Sequence, residues 1–565
     1  MGQLLTSLIF VPEHHIPSKV IDPLDHKQIW ELGISPIRID RLKAHLQNYP
    51  NRSEAIFLKK GFSEGFQLQY SGPRVHATCK NLSSAIVHHD QLLAKVCKEI
   101  ALGRILGPFC SLPIPNLHLS PVGVVPKSDG GWRMISHLSY PDMSGVNHFI
   151  DPGFCSVQYS SFDNVVDMIA SLGRGALLGK VDVKSAFRLI PVYPGDFDLL
   201  GFRIDDMYYI DKCLPMGCSI SCKIWETFAT FLHWLTEYKS GIHTLDHYLD
   251  DFIFAGRKET QDCSVLMSQF VEVTNDMCIP LAEEKTIGPT TRLKYLGFII
   301  DTVDMSILVP HDKVDSLRQV IANFLTRQRV TLKELQSFVG SLNFFCKAIR
   351  SGRAFIRRFY DAMLGPYKPH HHIRLTAAIK SDLQLWFTFL EKFNGVTFFP
   401  EESWLDSDVL QFYTDSAGSN SLGCGAYFQG RWFFLPWPKW WENQEIMKDM
   451  TFLELIPVVI AVEIWGHLLE KKKVVFHIDN LALVSIINKQ TSKSKRTMEL
   501  VRRLVLKLML NNVVFKAKHI ASVDNDIADS ISRKQWQRFR ELAPTAKSIP
   551  EIPPRDLINM IYNLK

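Results

Sequence analysis

Short apolar runs broken by Gly, Pro and Asp alternate with longer amphipathic stretches between about residues 86 and 305. The runs at 176–183, 199–204, 207–214, 248–254 and 294–300 have the length and composition of strands. The stretches at 220–238 and 264–277 have the length and pattern of helices. Mixed in this order, they predict an α+β domain built on an antiparallel sheet. Residues 306–405 read as mainly helical. Thr331-Leu-Lys-Glu334 forms a capping box, and Leu335, Phe338, Val339, Leu342 and Phe345 then fall on one helical face. Residues 406–535 return to alternating strands and helices, a second α/β domain. Residues 1–85 form an N-terminal extension with no assignable chemistry, and 536–565 a tail rich in Pro and charge.

Composition changes this picture little. A chain of 565 residues is too long for one core, so several domains are expected. With 46% hydrophobic and 22% charged residues it reads as folded rather than disordered. The net charge of +6 is compatible with a nucleic-acid partner without requiring one. The 11 cysteines contain no Cys-x-x-Cys pair and read as reduced thiols, giving an intracellular expectation, cytoplasmic or nuclear. The most apolar stretch, near 455–462, reads as too short to span a bilayer and is flanked by Glu454 and Glu463. Met1-Gly-Gln-Leu-Leu-Thr6 formally matches a loose myristoylation pattern.

Candidate chemistry lies in carboxylates set among apolar residues. Asp182 ends an apolar run, and Asp250 and Asp251 sit in His247-Tyr-Leu-Asp-Asp-Phe-Ile-Phe254. Ionised carboxylates in such surroundings are costly, and they repel one another, unless cations compensate them. Two Mg²⁺ ions, or Mn²⁺, would meet that need and could activate a 3′-hydroxyl and stabilise a leaving pyrophosphate. Asp-Asp is also common in tight turns, the reading given to Asp205-Asp206.

The order of motifs around these residues resembles the reverse transcriptases over about 200 residues. Ser120-Pro-Val-Gly-Val-Val-Pro-Lys127 with Gly130-Gly-Trp-Arg133 resembles the fingers strands, which implies that Lys127 and Arg133 hold a triphosphate. Val181-Asp-Val-Lys-Ser-Ala-Phe187 resembles the first catalytic motif and implies Phe187 as the aromatic that excludes a 2′-hydroxyl. Leu214-Pro-Met-Gly217 resembles the template and nucleotide motif, with Met216 where the family usually has Gln or Phe. Tyr248-Leu-Asp-Asp251 resembles the catalytic hairpin, Ala282-Glu-Glu-Lys285 the motif whose Lys lies near the leaving phosphate, and Leu296-Gly297-Phe298 the primer grip. The implied fold is a right-hand polymerase with fingers, palm and thumb. The implied partners are an RNA template, a DNA primer and deoxynucleoside triphosphates.

A second acidic set comprises Asp415, Glu454, Asp479 and Asp529. Singly, each has a structural explanation: Glu454 as the capping-box partner of Thr451, Asp479 as a turn residue beside Asn480, Asp529 near a helix N-terminus. Together they resemble the ribonuclease H fold over about 120 residues, in which four carboxylates hold two metals that cut the RNA of an RNA–DNA hybrid. His519 lies earlier than the mobile His of retroviral relatives. Ile135-Ser-His-Leu-Ser-Tyr-Pro141, Leu214-Pro-Met-Gly217, Tyr248-Leu-Asp-Asp251 and Ala528-Asp-Ser-Ile-Ser-Arg533 together resemble DIRS-type retrotransposons, which integrate with a tyrosine recombinase. That resemblance implies a recombinase and a capsid-like protein of the same element as partners. Asp415-Ser-Ala-Gly does not fit an aspartic-protease signature. Basic groups at Arg350, Arg353, Arg357 and Arg358, and at Lys489, Lys493, Lys495, Arg496, Arg502 and Arg503, are expected to contact hybrid phosphates. The alternative is a decayed copy that only binds nucleic acid.

Overall fold

A computed structural model describes residues 29–564 except 128–129, 367, 400–402 and 522–523. The N-terminal Met1–Thr6 motif lies outside the described residues. The chain divides into two compact units, cut differently from the segments read from sequence: 1–161 with 177–290, and 162–176 with 291–565.

In the first unit, helices α1 (Ile39–Leu46) and α2 (Arg52–Glu64) bury Leu42, Leu46, Leu58 and Phe62. These side chains belong to the same apolar core as the strands and helices between 181 and 279, so this part of the extension is integral to the unit. A two-stranded ribbon joins β1 (Val122–Pro126) to β2 (Trp132–Ser136), with Val125 opposite Arg133. The central antiparallel sheet holds β3 (Leu177–Asp182) between β6 (Asp251–Gly256) and β7 (Ile287–Thr290), with β5 (Leu245–Tyr248) on the outer side of β6. Helices α3 (Ser221–Ser240) and α4 (Asp262–Asp276) pack against it, burying Trp225, Phe228, Leu266 and Phe270. A hairpin of β4, split by its turn into Gly201–Ile204 and Met207–Asp211, lies in a separate sheet.

Two apolar runs that read as single strands are hairpins. Run 248–254 turns at Leu249-Asp250, where Tyr248 pairs with Asp251. Run 294–300 turns at Leu296-Gly297, where Tyr295 pairs with Phe298. Leu249 and Leu296 both adopt a positive φ, a conformation that a leucine's composition does not announce.

The second unit contains the capped helix α5 (Leu332–Ala348). Glu334 N donates to Thr331 Oγ1 at 3.2 Å and Thr331 N to the Glu334 carboxylate at 2.7 Å, while the expected apolar face is buried. Strands β8 (Phe412–Ser416), β9 (Gly423–Phe428) and β10 (Arg431–Pro436) form an antiparallel meander. Strands β11 (Lys473–Ile478) and β12 (Val514–His519) run parallel beside it, β8 adjoining β11. Helix α6 (Met450–Trp465) and α7 (Asp526–Ser532) pack on the meander. Its helical continuation to Leu469 makes α6 long and apolar enough to cross a membrane, which the sequence stretch alone did not suggest, but 78% of that segment is buried within the structure. Apolar residues all round α6 are what a core helix requires. Antiparallel sheets mixed with helices are thus the architecture of this chain, as expected. Among the described residues no cysteine pair is bonded.

Candidate active sites

Asp182 closes β3 and stands directly opposite Asp251, the first residue of β6. Asp250 occupies the turn between β5 and β6, and its carbonyl accepts a hydrogen bond from Val183 N at 3.0 Å. The backbone alone therefore gathers the three carboxylates. The segment after α4 returns to the same edge: Ala282 N donates to the Asp182 carbonyl at 2.9 Å. Lys285 then reaches both Asp182 oxygens at 3.1 Å. Lys180, two residues along β3, lies 2.9 Å from Asp251.

Burial raises Asp182, and the Lys285 ammonium offsets part of that rise. Burial and then the neighbouring Asp182 push Asp250 up to about 6. Lys285 is pulled down by burial, yet its bonds to Asp182 leave it raised overall. One cavity is lined by Asp182, Asp250, Lys285, Lys127, Arg133 and Met216, six of the residues singled out from sequence.

Gly217 has φ +125°, and a Cβ there would sit 1.9 Å from the Ser136 carbonyl oxygen, so only glycine fits. Its own carbonyl accepts from Asn147 Nδ2 at 2.8 Å. Phe187 is not part of the cavity lining; its half-buried ring packs against the core. Leu296, Gly297 and Phe298 belong to the second unit. There Phe298 is buried and stacks on Phe344 with centroids 4.3 Å apart, leaving the Leu296-Gly297 turn as the accessible part of that motif.

Sequence reasoning missed Lys180, and it missed Arg188. Arg188 lines the same cavity and binds both Asp211 oxygens at 2.8 Å and Glu99 at 2.9 Å. A Lys two residues before an Asp on one strand shares its face, which was the available signal for Lys180. Nothing local to Arg188 announced partners 23 and 89 residues away.

In the second unit, Asp415 lies on β8, Glu454 in α6 and Asp479 just past β11. One oxygen of each lies within 4.8 Å of the others. Glu454 is not a capping residue: Asp449 caps α6 by accepting from Phe452 N at 3.1 Å, and Glu454 is buried one turn inside. Burial pushes Asp415 up to about 6; Ser532 Oγ, which donates to it, opposes this, and Asp479 and Asp529 add to it. Burial, then Asp415 and Asp479, hold Glu454 well above the usual carboxylate range.

Asp529 stands apart from that trio. It is gripped by Arg533 Nε at 2.5 Å and Arg538 at 3.2 Å. His519 Nε2 lies 3.2 Å from the Asp479 carbonyl. Three oxygens this close in buried surroundings suit a divalent cation, since the alternative is protonation of one or more of them.

The described arginines of the basic clusters are paired with carboxylates within the unit. Arg358 and Arg502 clasp the fully buried Asp382 at 2.7 and 3.0 Å. Arg353 pairs with Asp163, Arg357 with Asp361, and Arg503 with Glu463 and Asp556. A buried carboxylate demands such cations, which the linear charge pattern could not reveal.

Residues 125–300 match the family model described as reverse transcriptase (RNA-dependent DNA polymerase). The Transposon Tf2-7 and Tf2-3 polyproteins of Schizosaccharomyces pombe (strain 972 / ATCC 24843) are each 21% identical over 422 residues, 74% of this chain. The chain spans 29% of the length of these curated relatives. Similar solved structures include a foamy viral protease-reverse transcriptase dRH in complex with ds DNA, at TM-score 0.44 and 17% identity, covering 85% of this chain and 81% of that one. Another is the foamy viral protease-reverse transcriptase in complex with RNA/DNA hybrid, at TM-score 0.42 and 16% identity, covering 86% and 64%. The matched residues 125–300 contain Asp182, Asp250 and Asp251, and the chain is similar to retrotransposon polyproteins.

Proposed function

We propose that this chain copies retrotransposon RNA into DNA in its first unit and degrades the RNA of the resulting hybrid in its second. The observation that carries the reading is the single cavity shared by Asp182, Asp250, Lys285, Lys127, Arg133 and Met216 inside the reverse transcriptase segment. Asp182, Asp250 and Asp251 would hold Mg²⁺, as would Asp415, Glu454, Asp479 and Asp529. When bound, the metal neutralises the crowded carboxylates and polarises the attacking and leaving oxygens.

The remaining work falls to the protein. Lys127 and Arg133 place positive charge where a triphosphate would lie, and Arg can bind phosphate through two parallel bonds. Lys285, kept protonated by Asp182, can donate a proton or a hydrogen bond to the departing pyrophosphate. Gly217 lets backbone approach closely where a side chain would clash. Phe187 follows Ser185 and Ala186, which line the cavity, and in this reading its ring would leave the core face to discriminate against a 2′-hydroxyl. Ser532 orients Asp415, and Arg533 and Arg538 hold Asp529 in place at the edge of the second site. The RNA template, DNA primer, deoxynucleotides and hybrid are the partners this reading requires. The DIRS-type assignment, with its recombinase and capsid-like partners, and an intracellular location belong to the same proposal.

Primer extension on an RNA template by the full chain is the direct test. Mg²⁺-dependent incorporation of deoxynucleotides is expected, and a folded protein that synthesises nothing leaves only the nucleic-acid-binding alternative. The Phe187→Ala chain should incorporate ribonucleotides at least about tenfold more readily, the scale of discrimination a steric pocket supplies; unchanged selectivity removes Phe187 from that role.

A further inference from the structure

Immediately behind the Asp250–Asp251 hairpin, helix α3 brings His233 against β5, which carries Asp246 and His247. The two imidazoles face each other through Nδ1, 2.9 Å apart. Each turns its Nε2 toward a carboxylate of α3: His233 to Glu237 at 3.4 Å, His247 to Glu226 at 3.4 Å. Asp246 completes the group, with a ligand atom within 4.8 Å of both rings; its Oδ1 accepts from His247 N and its Oδ2 from Ser160 Oγ.

A proton does not satisfy this arrangement with neutral rings. A neutral imidazole carries a single N–H. If one ring donates through Nδ1 to the other, its own Nε2 presents a lone pair to a glutamate, which is repulsive. A cation between the two Nδ1 lone pairs removes the conflict, because both Nε2–H groups can then point at glutamates. Histidines that bind metals show this arrangement, with the outer N–H given to a carboxylate that fixes tautomer and orientation.

Two further observations agree. His247 is only 6% exposed, yet its Nε2 makes no hydrogen bond and stands 3.4 Å from Glu226 Oε1, while the other oxygen of that carboxylate, Oε2, is buried without a hydrogen-bond partner. In addition, Glu226, Glu237 and Asp246 place three carboxylates around the ring pair, with His243 as a further basic group on Glu237, a concentration of negative charge that a dication would offset. Tetrahedral zinc with bonds of about 2.0–2.1 Å would hold its ligand nitrogens about 3.4 Å apart, a few tenths of an ångström more than the observed spacing.

We propose that His233, His247 and Asp246 form a zinc-class divalent-cation site, with Glu237 and Glu226 as the carboxylates that orient the two rings. Two nitrogens and one oxygen select an imidazole-preferring ion over the hard magnesium suited to the all-carboxylate sites. The ion ties α3 to the strand that ends at Tyr248, one residue before Leu249 takes up its positive φ and two before Asp250. It therefore acts as a staple that holds the hairpin in register, without contacting substrate.

The test uses the full chain, stripped with a chelator and titrated with Co²⁺, whose visible absorption reports tetrahedral coordination. One Co²⁺ with that spectrum should bind, be displaced by Zn²⁺, and persist in a chain carrying Asp182→Asn and Asp415→Asn. It should be lost in His233→Gln and in Asp246→Asn. Glu237→Gln should fold normally and weaken Co²⁺ binding about 10–100-fold, the usual effect of removing an orienting partner. Absence of tetrahedral Co²⁺ from the parent chain overturns the site and leaves a shared proton between the rings. So does an unchanged Co²⁺ affinity in Glu237→Gln together with either ligand variant.

Discussion

The two acidic sites hold similar carboxylates under different compensation. In the first unit, Asp182 and Asp251 each have a lysine of their own, Lys285 at 3.1 Å and Lys180 at 2.9 Å. In the second, Asp415, Glu454 and Asp479 crowd within 4.8 Å, and the arginines bind Asp529 directly, Arg533 acting on Asp415 only through space. The cations of the first site offset its repulsion only in part, since Asp250 is still pushed up to about 6; the second leans more on protons or a metal. The same gathering of negative charge is thus met partly by the chain in the first unit and mainly by what the chain binds in the second.

The largest effect that separates the sites is loss of one activity alone. Asp250→Asn should cut DNA synthesis by about a thousandfold or more while hybrid cleavage persists, and Asp479→Asn should do the reverse, at the scale seen when a preorganised electrostatic group is removed. Loss of both activities in a folded single variant would mean that the sites are not independent. Next, Lys285→Met should lower synthesis about a hundredfold, within the range for a positioned proton donor, and leave cleavage unchanged. It should also move the acidic limb of the synthesis profile to higher pH, because Asp182 loses the cation that opposes its burial.

The pH dependence of stability has a defined sign. Asp250 and Asp415 are raised to about 6 from an ordinary 3.8. A carboxylate raised on folding stabilises the folded state fully below its unfolded value, and that contribution disappears as pH rises through its folded value. Metal-free protein should therefore lose stability between about pH 4 and 6 from these groups, and added Mg²⁺ should raise the melting temperature more at pH 7 than at pH 5. An Mg²⁺ effect that is equal at both values, followed by thermal melting, would contradict metal binding at these carboxylates.

Smaller still, Asp479→Asn should stabilise the metal-free chain by about 1 kcal/mol in chemical denaturation by removing like-charge repulsion. Asp250→Asn should stabilise it by a similar amount, because burial and Asp182 both oppose the Asp250 charge. The smallest effect belongs to the other Asp-Asp turn. Asp205 and Asp206 take φ of 50° and 61° in an exposed two-residue hairpin. Asparagine tolerates that conformation, so Asp205→Asn should change stability by less than about 0.5 kcal/mol and synthesis not at all.

These two turns show how far the chain could be read in advance. Both present adjacent aspartates between apolar runs, and the reading separated them only by the motifs around Asp250. What made Asp250 different in space is β3, sixty-odd residues earlier, which sets Asp182 opposite Asp251. The α5 capping box was legible because its groups are three residues apart. The capping alternative for Glu454 stayed open in the sequence because a local pattern cannot register burial in α6. The arginines around Asp382 were read as phosphate contacts for the same reason.

The sequence by itself determined the periodicities, the order of the motifs and the identity of the carboxylates, because these depend on residues a few positions apart. Only the tertiary structure decided which charges meet. Lys285 on Asp182, Ser532 on Asp415 and His233 on His247 are joined by strand register and helix packing across the chain, and electrostatic energy depends on distance in space rather than along the sequence.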